Sequence, residues 1–257
     1  MRKFPHKSLG LLVLILILGC ASTDPEPPRI SSYEDAMEAL EDSNEDLRLE
    51  AVRYLGDSRN IIAVPMIGER LKDESVMVRI EATLALNNYH DPITIEYLRE
   101  ALLDEDEAVR FSAASSLFEL GDYSGEEELI EGLSSEYEDF RFQALLFLGK
   151  MRSRAAIPGI IKLLKDPQPR TRSTAAYVLS LFKEKTALGP LIDAMNDPQV
   201  NVRKDCWEAA KAISGKDLPF QYDNDPIIRA REQRAWKEWM DGELGMENGE
   251  WAVGSGQ

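Results

Sequence analysis

The chain has 257 residues and a mass of 29.0 kDa, and its 46 acidic against 30 basic residues give a net charge of −16. Without residues 1–19, which resemble a leader and hold three of the cations, the net charge becomes −19, which excludes nucleic acid as a partner. Outside the leader and its processing motif, His90 and Cys206 are the only histidine and cysteine. The sequence therefore predicts no disulfide and no metal site, and catalysis by a serine or cysteine nucleophile would need His90 as the base.

The amino-terminal segment has the pattern of a bacterial export signal. A basic start precedes an apolar run from Leu9 to Leu18, which is too short for a stable membrane span. The run ends in Ile17-Leu18-Gly19-Cys20, which resembles the lipobox of bacterial lipoproteins. The resemblance implies cleavage of residues 1–19 and a covalent lipid on Cys20 as the only cofactor. The alternatives are an ordinary cleaved signal and an uncleaved anchor.

The lipobox also implies a location. A lipidated Cys20 would place the protein in the bacterial cell envelope, anchored to a membrane by its lipid. Ala21 follows the cysteine, as in lipoproteins sorted to the outer membrane of Gram-negative bacteria, where the chain would face the periplasm. Residues 20–31 hold three prolines between Asp24 and Pro28 and are predicted to form an extended tether. At roughly 3.1 Å per residue these 12 residues span about 37 Å, so the folded body should lie close to the membrane.

The body of the chain has a strict internal repeat of 31 residues. Six arginines carry the repeat: Arg48, Arg79, Arg110, Arg141, Arg172 and Arg203. Six residues before each arginine stand, in order, Asp42, Asp73, Asp104, Ser135, Asp166 and Asp197. A small residue follows three positions after each arginine, and a leucine follows seven positions after five of them. So many columns in one register identify a repeat architecture.

Each unit is predicted to be a helical hairpin. Apolar residues recur at helical spacing in its first half, as at Val78 and Leu86, and again in its second half, as at Ile67 and Leu71. A single hairpin cannot bury its apolar faces, so neighbouring units must stack. We predict an all-α fold, an α-solenoid of about five full hairpins over residues 32–214, with half-repeats or caps at both ends.

The two ends of the solenoid are predicted from the same register. Ser32 to Glu41 fits a lone second helix, and roughly Val200 to Ile213 fits a sixth first helix. Residues 215–246 are predicted to contain a capping helix that starts at Asp225-Pro226 and covers the last repeat with its tryptophans. Residues 247–257 are predicted to be a frayed tail.

The repeat resembles a known family. An aspartate six residues before an arginine, followed by small residues and a leucine, as in Asp73 to Leu86 and Asp104 to Leu117, resembles the HEAT repeat, and in particular the short HEAT-like repeats first named for phycobilisome lyases. The resemblance covers roughly residues 32–213. It implies scaffolding and protein binding, often on the concave face formed by the second helices. Bilin attachment belongs to cytosolic members of that group, whereas this chain carries an export signal.

The repeated aspartates and arginines are interpreted as a structural ladder rather than a catalytic array. Each arginine lies close to the apolar face of its helix, so we expect its head to be half-buried and paired with an aspartate of its own or the neighbouring unit. The ladder comprises Asp42, Arg48, Asp73, Arg79, Asp104, Arg110, Arg141, Asp166, Arg172, Asp197 and Arg203. Ser135 is predicted to break it at Arg141, where Glu136, Glu138 or Asp139 would substitute.

Two columns of residues are candidate binding surfaces. The acidic column on the second helices consists of Glu69, Glu100, Glu131 and Asp193, with Lys162 as its exception. It is either a solvated face or a surface for a basic segment of another protein. The apolar column on the first helices consists of Leu49, Ile80, Phe111 and Phe142. It is either packing between repeats or an alternative docking strip.

These patterns together favour a membrane-anchored, non-enzymatic, monomeric adaptor in the bacterial envelope that binds another protein. No catalytic residue is assigned, because the sequence holds no phosphate-binding loop, zinc-protease motif or nucleophile elbow. Two alternatives remain: an envelope hydrolase that uses Asp and Glu carboxylates of the concave face, and a structural spacer without a specific ligand.

Overall fold

The computed structural model describes residues 30–244. The predicted leader, Cys20, the tether up to position 29 and the predicted tail therefore lie outside the described residues. Within 30–244 the chain is all-α, with 13 α-helices and no strand, which confirms the predicted fold class of an α-solenoid. No helix in this range is long and apolar enough to cross a membrane.

The chain forms two compact units, divided between Glu128 and Leu129. The helices of the first unit are α1 (Tyr33–Ala39), α2 (Glu45–Ser58), α3 (Val64–Glu69), α4 (Val76–Asn87), α5 (Pro92–Ala101) and α6 (Glu107–Glu119). The division falls within α7 (Glu126–Gly132). The helices of the second unit are α8 (Glu138–Met151), α9 (Ile157–Lys162), α10 (Pro169–Phe182), α11 (Leu188–Ala194), α12 (Val200–Ser214) and α13 (Pro226–Leu244).

In each repeat a long first helix is followed by a shorter second helix. The first helices, from α2 to α12, have 12 to 15 residues, whereas α3 and α9 have six. Prolines in the first turn of α3 and α9 and short 3₁₀ segments beside them account for the brevity of these two helices. Consecutive first helices pack side by side, α2 on α4 and α4 on α6 in the first unit and α10 on α12 in the second.

Small residues permit this close packing. Gly56 of α2 lies against Ala85 of α4, and a Cβ atom at position 56 would lie 2.7 Å from the Ala85 Cβ. The core of the first unit is formed by the periodic apolar residues, including Val52, Leu55 and Leu86, all of which are fully buried. Leu148, Leu179, Leu188 and Leu191 occupy the corresponding interior of the second unit. The apolar residues that recur at helical spacing in the sequence therefore form the core of both units.

The turn between the two helices of a repeat recurs with the same backbone. One residue in each turn is left-handed, with φ between 51° and 81°, and these residues stand at equivalent positions of successive repeats: Arg59, His90, Gly121, Arg152 and Lys183. The residue after it caps the next segment, since the Asn60, Asp91 and Asp122 side chains each accept a hydrogen bond from the N–H group two residues later. These local bonds give each turn of the first unit an equivalent geometry.

The last helix covers the final hairpin. In α13, the Lys237 Nζ atom lies 2.6 Å from the Asp193 Oδ1 atom of α11, and Gln233 donates to the Ile192 carbonyl at 2.6 Å. Trp236 is fully buried and makes an edge-to-face contact with Trp239. Residues 226–244 thus lie against the end of the repeat series within the second unit.

Candidate functional site

The repeated arginines connect neighbouring repeats through a fixed set of hydrogen bonds. Arg79 donates from Nε and Nη2 to both carboxylate oxygens of Asp104, at 2.8 and 3.0 Å. Its Nη1 atom donates to the Asp73 carbonyl, six residues earlier, at 2.9 Å. The same pattern joins Arg48 to Asp73, Arg141 to Asp166 and Arg172 to Asp197. Each of these four arginines therefore bonds its own repeat through a carbonyl and the following repeat through a carboxylate.

The aspartate of each pair also orders its own repeat. Asp73 Oδ1 accepts a hydrogen bond from the Ser75 N–H at 2.9 Å, and this bond shapes the entry to α4. Burial alone would raise the pKa of the Asp73 carboxyl, but the hydrogen bonds from Arg48 and from the Ser75 N–H outweigh it and lower that pKa. The bonds to Asp73 in turn raise the pKa of Arg48. Both groups remain charged near neutral pH.

The break in the ladder is at Arg110, and the predicted break at Arg141 is wrong. Arg141 bonds Asp166, because the carboxylate comes from 25 residues after the arginine rather than from six residues before it. Position 25 after Arg110 is Ser135, and Arg110 contacts no carboxylate among residues 30–244; its bonds go to the Asp104 and Glu105 carbonyls. No substitution by Glu136, Glu138 or Asp139 is therefore needed.

The hydrogen bonds at the two ends of the ladder differ from those in its middle. The Asp42 carboxylate accepts from the Asn44 N–H, and the Asp42 carbonyl, not the carboxylate, bonds Arg48. At the other end Arg203 donates to the Tyr222 carbonyl at 2.5 Å. Burial and the neighbouring Arg229 lower the pKa of Arg203. The arginines and aspartates are thus occupied with each other and with the backbone, which leaves few of their polar atoms for a ligand.

All four residues of the acidic column are exposed, but Asp193 at its end forms an ion pair. Glu69 and Glu100 in the first unit and Glu131 in the second are exposed and form no ion pair among the described residues. Asp193 is also exposed, but Lys237 neutralises it. The sequence-based prediction missed Glu38 in α1, which lies one repeat before Glu69 and is equally exposed; the repeat spacing was sufficient to find it.

The apolar column is mostly covered. Phe111 is only 5 % exposed, and Leu49 packs against the core of the first unit. Ile80 and Phe142 are half-buried, and the Arg170 guanidinium lies 3.6 Å from the centre of the Phe142 ring. This burial favours packing between repeats over docking as the role of the column.

The two units differ strongly in charge. Residues 30–128 hold 25 acidic and 8 basic residues, a net charge of −17, whereas residues 129–244 hold 17 acidic and 18 basic residues, a net charge of +1. Six of the eight cations in the first unit are already bonded to carboxylates or carbonyls; the exceptions are Arg59 and Lys72. The acidity of the protein is therefore concentrated in the first unit, and most of it is uncompensated.

A groove of about 640 Å³ lies between the second helices of the second unit. Its aspartates are engaged elsewhere: Asp166 binds Arg141, Asp197 binds Arg172, and Asp193 binds Lys237. Lys162 and Lys165 at its border are exposed and form no ion pair among residues 30–244. The second-helix side of the second unit is thus locally basic at Lys162, where the acidic column has its exception.

The remaining reactive groups carry no site. Cys206 is fully buried, and burial raises the pKa of its thiol to about 12, so it is an unreactive core residue. His90 is exposed in a turn, where its Nδ1 atom lies 3.4 Å from the Asn88 carbonyl. Among the residues that the structure describes, no group of three or more His, Cys, Asp or Glu side chains could hold a metal ion.

Comparison with solved structures identifies similar folds. Escherichia coli YibA is 20% identical, with a TM-score of 0.51 over 71% of this chain and 72% of that chain. An engineered protein is 20% identical, with a TM-score of 0.50 over 72% of this chain and 98% of that chain. The complex of CpcE and CpcF of phycocyanin lyase from Nostoc sp. PCC7120 is 21% identical, with a TM-score of 0.49 over 90% of this chain and 95% of that chain. Likeness at this level concerns the fold alone.

No curated protein matches the sequence significantly. The family model for HEAT repeats, in contrast, matches residues 33–118 and 126–214, more than half of the chain. The matched residues coincide with the helical hairpins from α1 to α12 and with the arginine–aspartate ladder that joins them. The chain belongs to the HEAT-repeat family.

Proposed function

We propose that this chain is a lipid-anchored, non-enzymatic scaffold of the bacterial cell envelope, and that its first unit binds a protein partner through a basic segment. The observation that carries the proposal is the uncompensated charge of −17 on residues 30–128. Charge of one sign on a preformed surface attracts and orients a partner of the opposite sign. The lipobox at Ile17 to Cys20 supports the anchor and the envelope location.

The exposed glutamates of the second helices are the proposed contact. Glu38, Glu69 and Glu100 stand at the same position of successive repeats, and none of them forms an ion pair among the described residues. Stacked helices lie about 8–10 Å apart, so the three carboxylates form a row that an extended basic segment can follow. Their mutual repulsion is largely screened in physiological salt, whose Debye length is about 8 Å.

A basic peptide tests the contact. The probe is a labelled 12-residue peptide of alternating lysine and glycine, and the protein is the chain from Ala21 to Gln257, which lacks the leader and the lipidated cysteine. At low salt we expect Glu38/Glu69/Glu100→Gln to weaken binding about tenfold, since three exposed pairs at about 0.5 kcal/mol each sum to that effect. Binding to the unmodified chain should fall steeply as salt rises to physiological strength.

The matched control is Asp46→Asn with Glu105→Gln and Glu107→Gln, which also removes three exposed carboxylates of the first unit. If the control weakens binding as much as the second-helix variant, the peptide responds only to net charge and the proposed contact is wrong. Far-UV circular dichroism of each variant establishes that it is folded.

A separate experiment tests the anchor. Cys20→Ser should abolish incorporation of a labelled fatty acid and release the protein from membranes, because the lipid is the proposed means of attachment. Retention of the Cys20→Ser protein in the membrane fraction would show that the leader is an uncleaved anchor or that another surface holds the chain there.

A further inference from the structure

The turns at one edge of the first unit present exposed apolar residues. Ile61 and Ile62 are 49 % and 64 % exposed, Ile93 is 46 % exposed and Tyr123 is 57 % exposed. We call these four residues the turn-edge strip. Six large hydrophobic residues are exposed among residues 30–128, and the other two, Met77 and Leu103, lie away from these turns. Apolar residues aligned on a surface in this way mark an interaction site more often than isolated ones do.

The strip is held in position by the backbone. In each of its three turns a left-handed residue is followed by the capping residue, Asn60, Asp91 or Asp122, and the apolar residues come one or two positions after the cap. Ile62 and Ile93 donate their N–H groups to the caps at 3.2 and 3.0 Å. The apolar side chains therefore recur at equivalent positions in stacked repeats and need little ordering on binding.

The negative charge of the first unit determines which kind of partner can bind the turn-edge strip. The strip lies on a unit with a net charge of −17, and exposed carboxylates flank it in the chain at Asp57, Glu96 and Glu127. An anionic lipid surface would be repelled, and so would the same unit of a second copy of this chain. A partner segment that is both apolar and basic can contact the strip with its apolar side chains and the surrounding carboxylates with its basic ones.

We infer that the turn-edge strip docks a basic amphipathic helix of the protein partner. The inference rests on the proposed scaffold function and specifies the chemistry of the partner. Stacked repeats are spaced by about 8–10 Å, and seven residues of an α-helix advance by about 10.5 Å. Apolar side chains seven residues apart on the partner helix therefore face successive turns of the strip, while lysines or arginines beside them face the carboxylates.

Two peptides of one composition test the inference. The first is an 18-residue peptide with leucines at positions 1, 4, 8, 11, 15 and 18 and lysine, glutamine and alanine elsewhere; the second contains the same residues in scrambled order. In 150 mM NaCl we expect the same chain from Ala21 to bind the first peptide at least tenfold more tightly than the second, because burial of apolar surface persists when charge is screened.

Variants locate the contact. Ile61/Ile62/Ile93→Ser should weaken binding of the ordered peptide at least tenfold, whereas the control Met77/Leu103→Ser, which removes the other exposed apolar residues of the unit, should leave it unchanged. Glu38/Glu69/Glu100→Gln should retain the preference for the ordered peptide. All substituted side chains are exposed, so the variants should fold, and circular dichroism verifies this.

Other results would overturn the inference in distinguishable ways. Equal binding of the two peptides, or equal loss in the strip variant and its control, would exclude docking at the strip. Loss only in the second-helix glutamate variant would leave the scaffold proposal standing and refute the strip. Strip-dependent flotation on anionic vesicles would assign a membrane contact instead, and strip-dependent dimerisation in sedimentation would assign a second copy of the chain.

Discussion

Replacement of Arg79 by methionine measures what the ladder contributes to stability. The Arg79 and Asp104 side chains are 9 % and 10 % exposed and share two hydrogen bonds. Methionine keeps an unbranched stem but leaves the Asp104 carboxylate buried without its cation. Loss of one partner of a buried pair typically costs about 3–5 kcal/mol, and we expect a loss of this size in the free energy of unfolding.

Arg110→Met is the matched control. Arg110 stands one repeat later and makes the same two bonds to carbonyl oxygens, at 2.9 and 3.1 Å, but contacts no carboxylate in the described chain. Its replacement should cost only about 1–2 kcal/mol, because two hydrogen bonds of a partly exposed group are lost. The difference between the two variants, about 2–3 kcal/mol, would be the effect of the carboxylate.

Urea unfolding followed by far-UV circular dichroism gives both values. The helical signal includes the helices of both units and therefore detects the first, whereas the four tryptophans begin at Trp207 and report only on the second. An unchanged slope with urea would establish that the variants differ in stability and not in the unfolded state. Equal losses below about 1 kcal/mol in both variants would refute the reasoning, since they are typical of solvated pairs.

Three further predictions concern single residues. Because the pKa of Asp73 is lowered in the folded chain, its stabilising effect is fully present above its unfolded pKa of about 3.9 and is lost as the pH falls through the folded value. Asp73→Asn should therefore destabilise the chain more at pH 7 than at pH 3, and an equal urea-midpoint loss at both pH values would contradict this. Lys183→Gly should raise the free energy of unfolding by about 0.5–1 kcal/mol, because Lys183 has a φ of 52°, a left-handed conformation that favours glycine. The control Lys185→Gly should lower it, because Lys185 lies in a 3₁₀ segment. If thermal melts of both variants shift in the same direction, backbone strain at Lys183 is excluded. Cys206 should react with a disulfide reagent only as fast as the chain unfolds, given a thiol pKa of about 12, and rapid reaction of the native chain would show that the thiol is accessible.

The repeat register could be read from the sequence, but the direction of its ion pairs could not. Five of the six arginines have an aspartate six residues before them, four of the six have an aspartate 25 residues after them, and three have both, so both pairings fit the same columns. The choice depends on whether the arginine side chain reaches back to its own turn or across to the next repeat. Arg79 does both: it bonds the Asp73 carbonyl of its own turn and the Asp104 carboxylate of the next repeat. Only the position of the break, at Arg110 rather than Arg141, separates the two possibilities.

The turn-edge strip was also hidden in the sequence. Ile61 and Ile62 directly precede the apolar residues of α3, and their residue type does not distinguish them from its buried positions Val64 and Ile67. In the structure Ile61–Ala63 is a 3₁₀ segment, and only Ala63 of its three residues is buried. The net charge of the whole chain likewise concealed the contrast between −17 and +1 in the two units. Counting charge by repeat would have revealed it.

The constant length of the turns supports a role for their surface. The ladder fixes the spacing of six positions from Asp73 to Arg79, because Arg79 must reach the Asp73 carbonyl and the Asp104 carboxylate of the next repeat at the same time. It does not fix the turn between the two helices, which lies at the surface, where insertions are readily tolerated. Yet Asn60, Asp91 and Asp122 cap their turns in the same way and are each one full repeat apart. Packing of the first helices would survive turns of unequal length, whereas the turn-edge strip would lose its regular spacing.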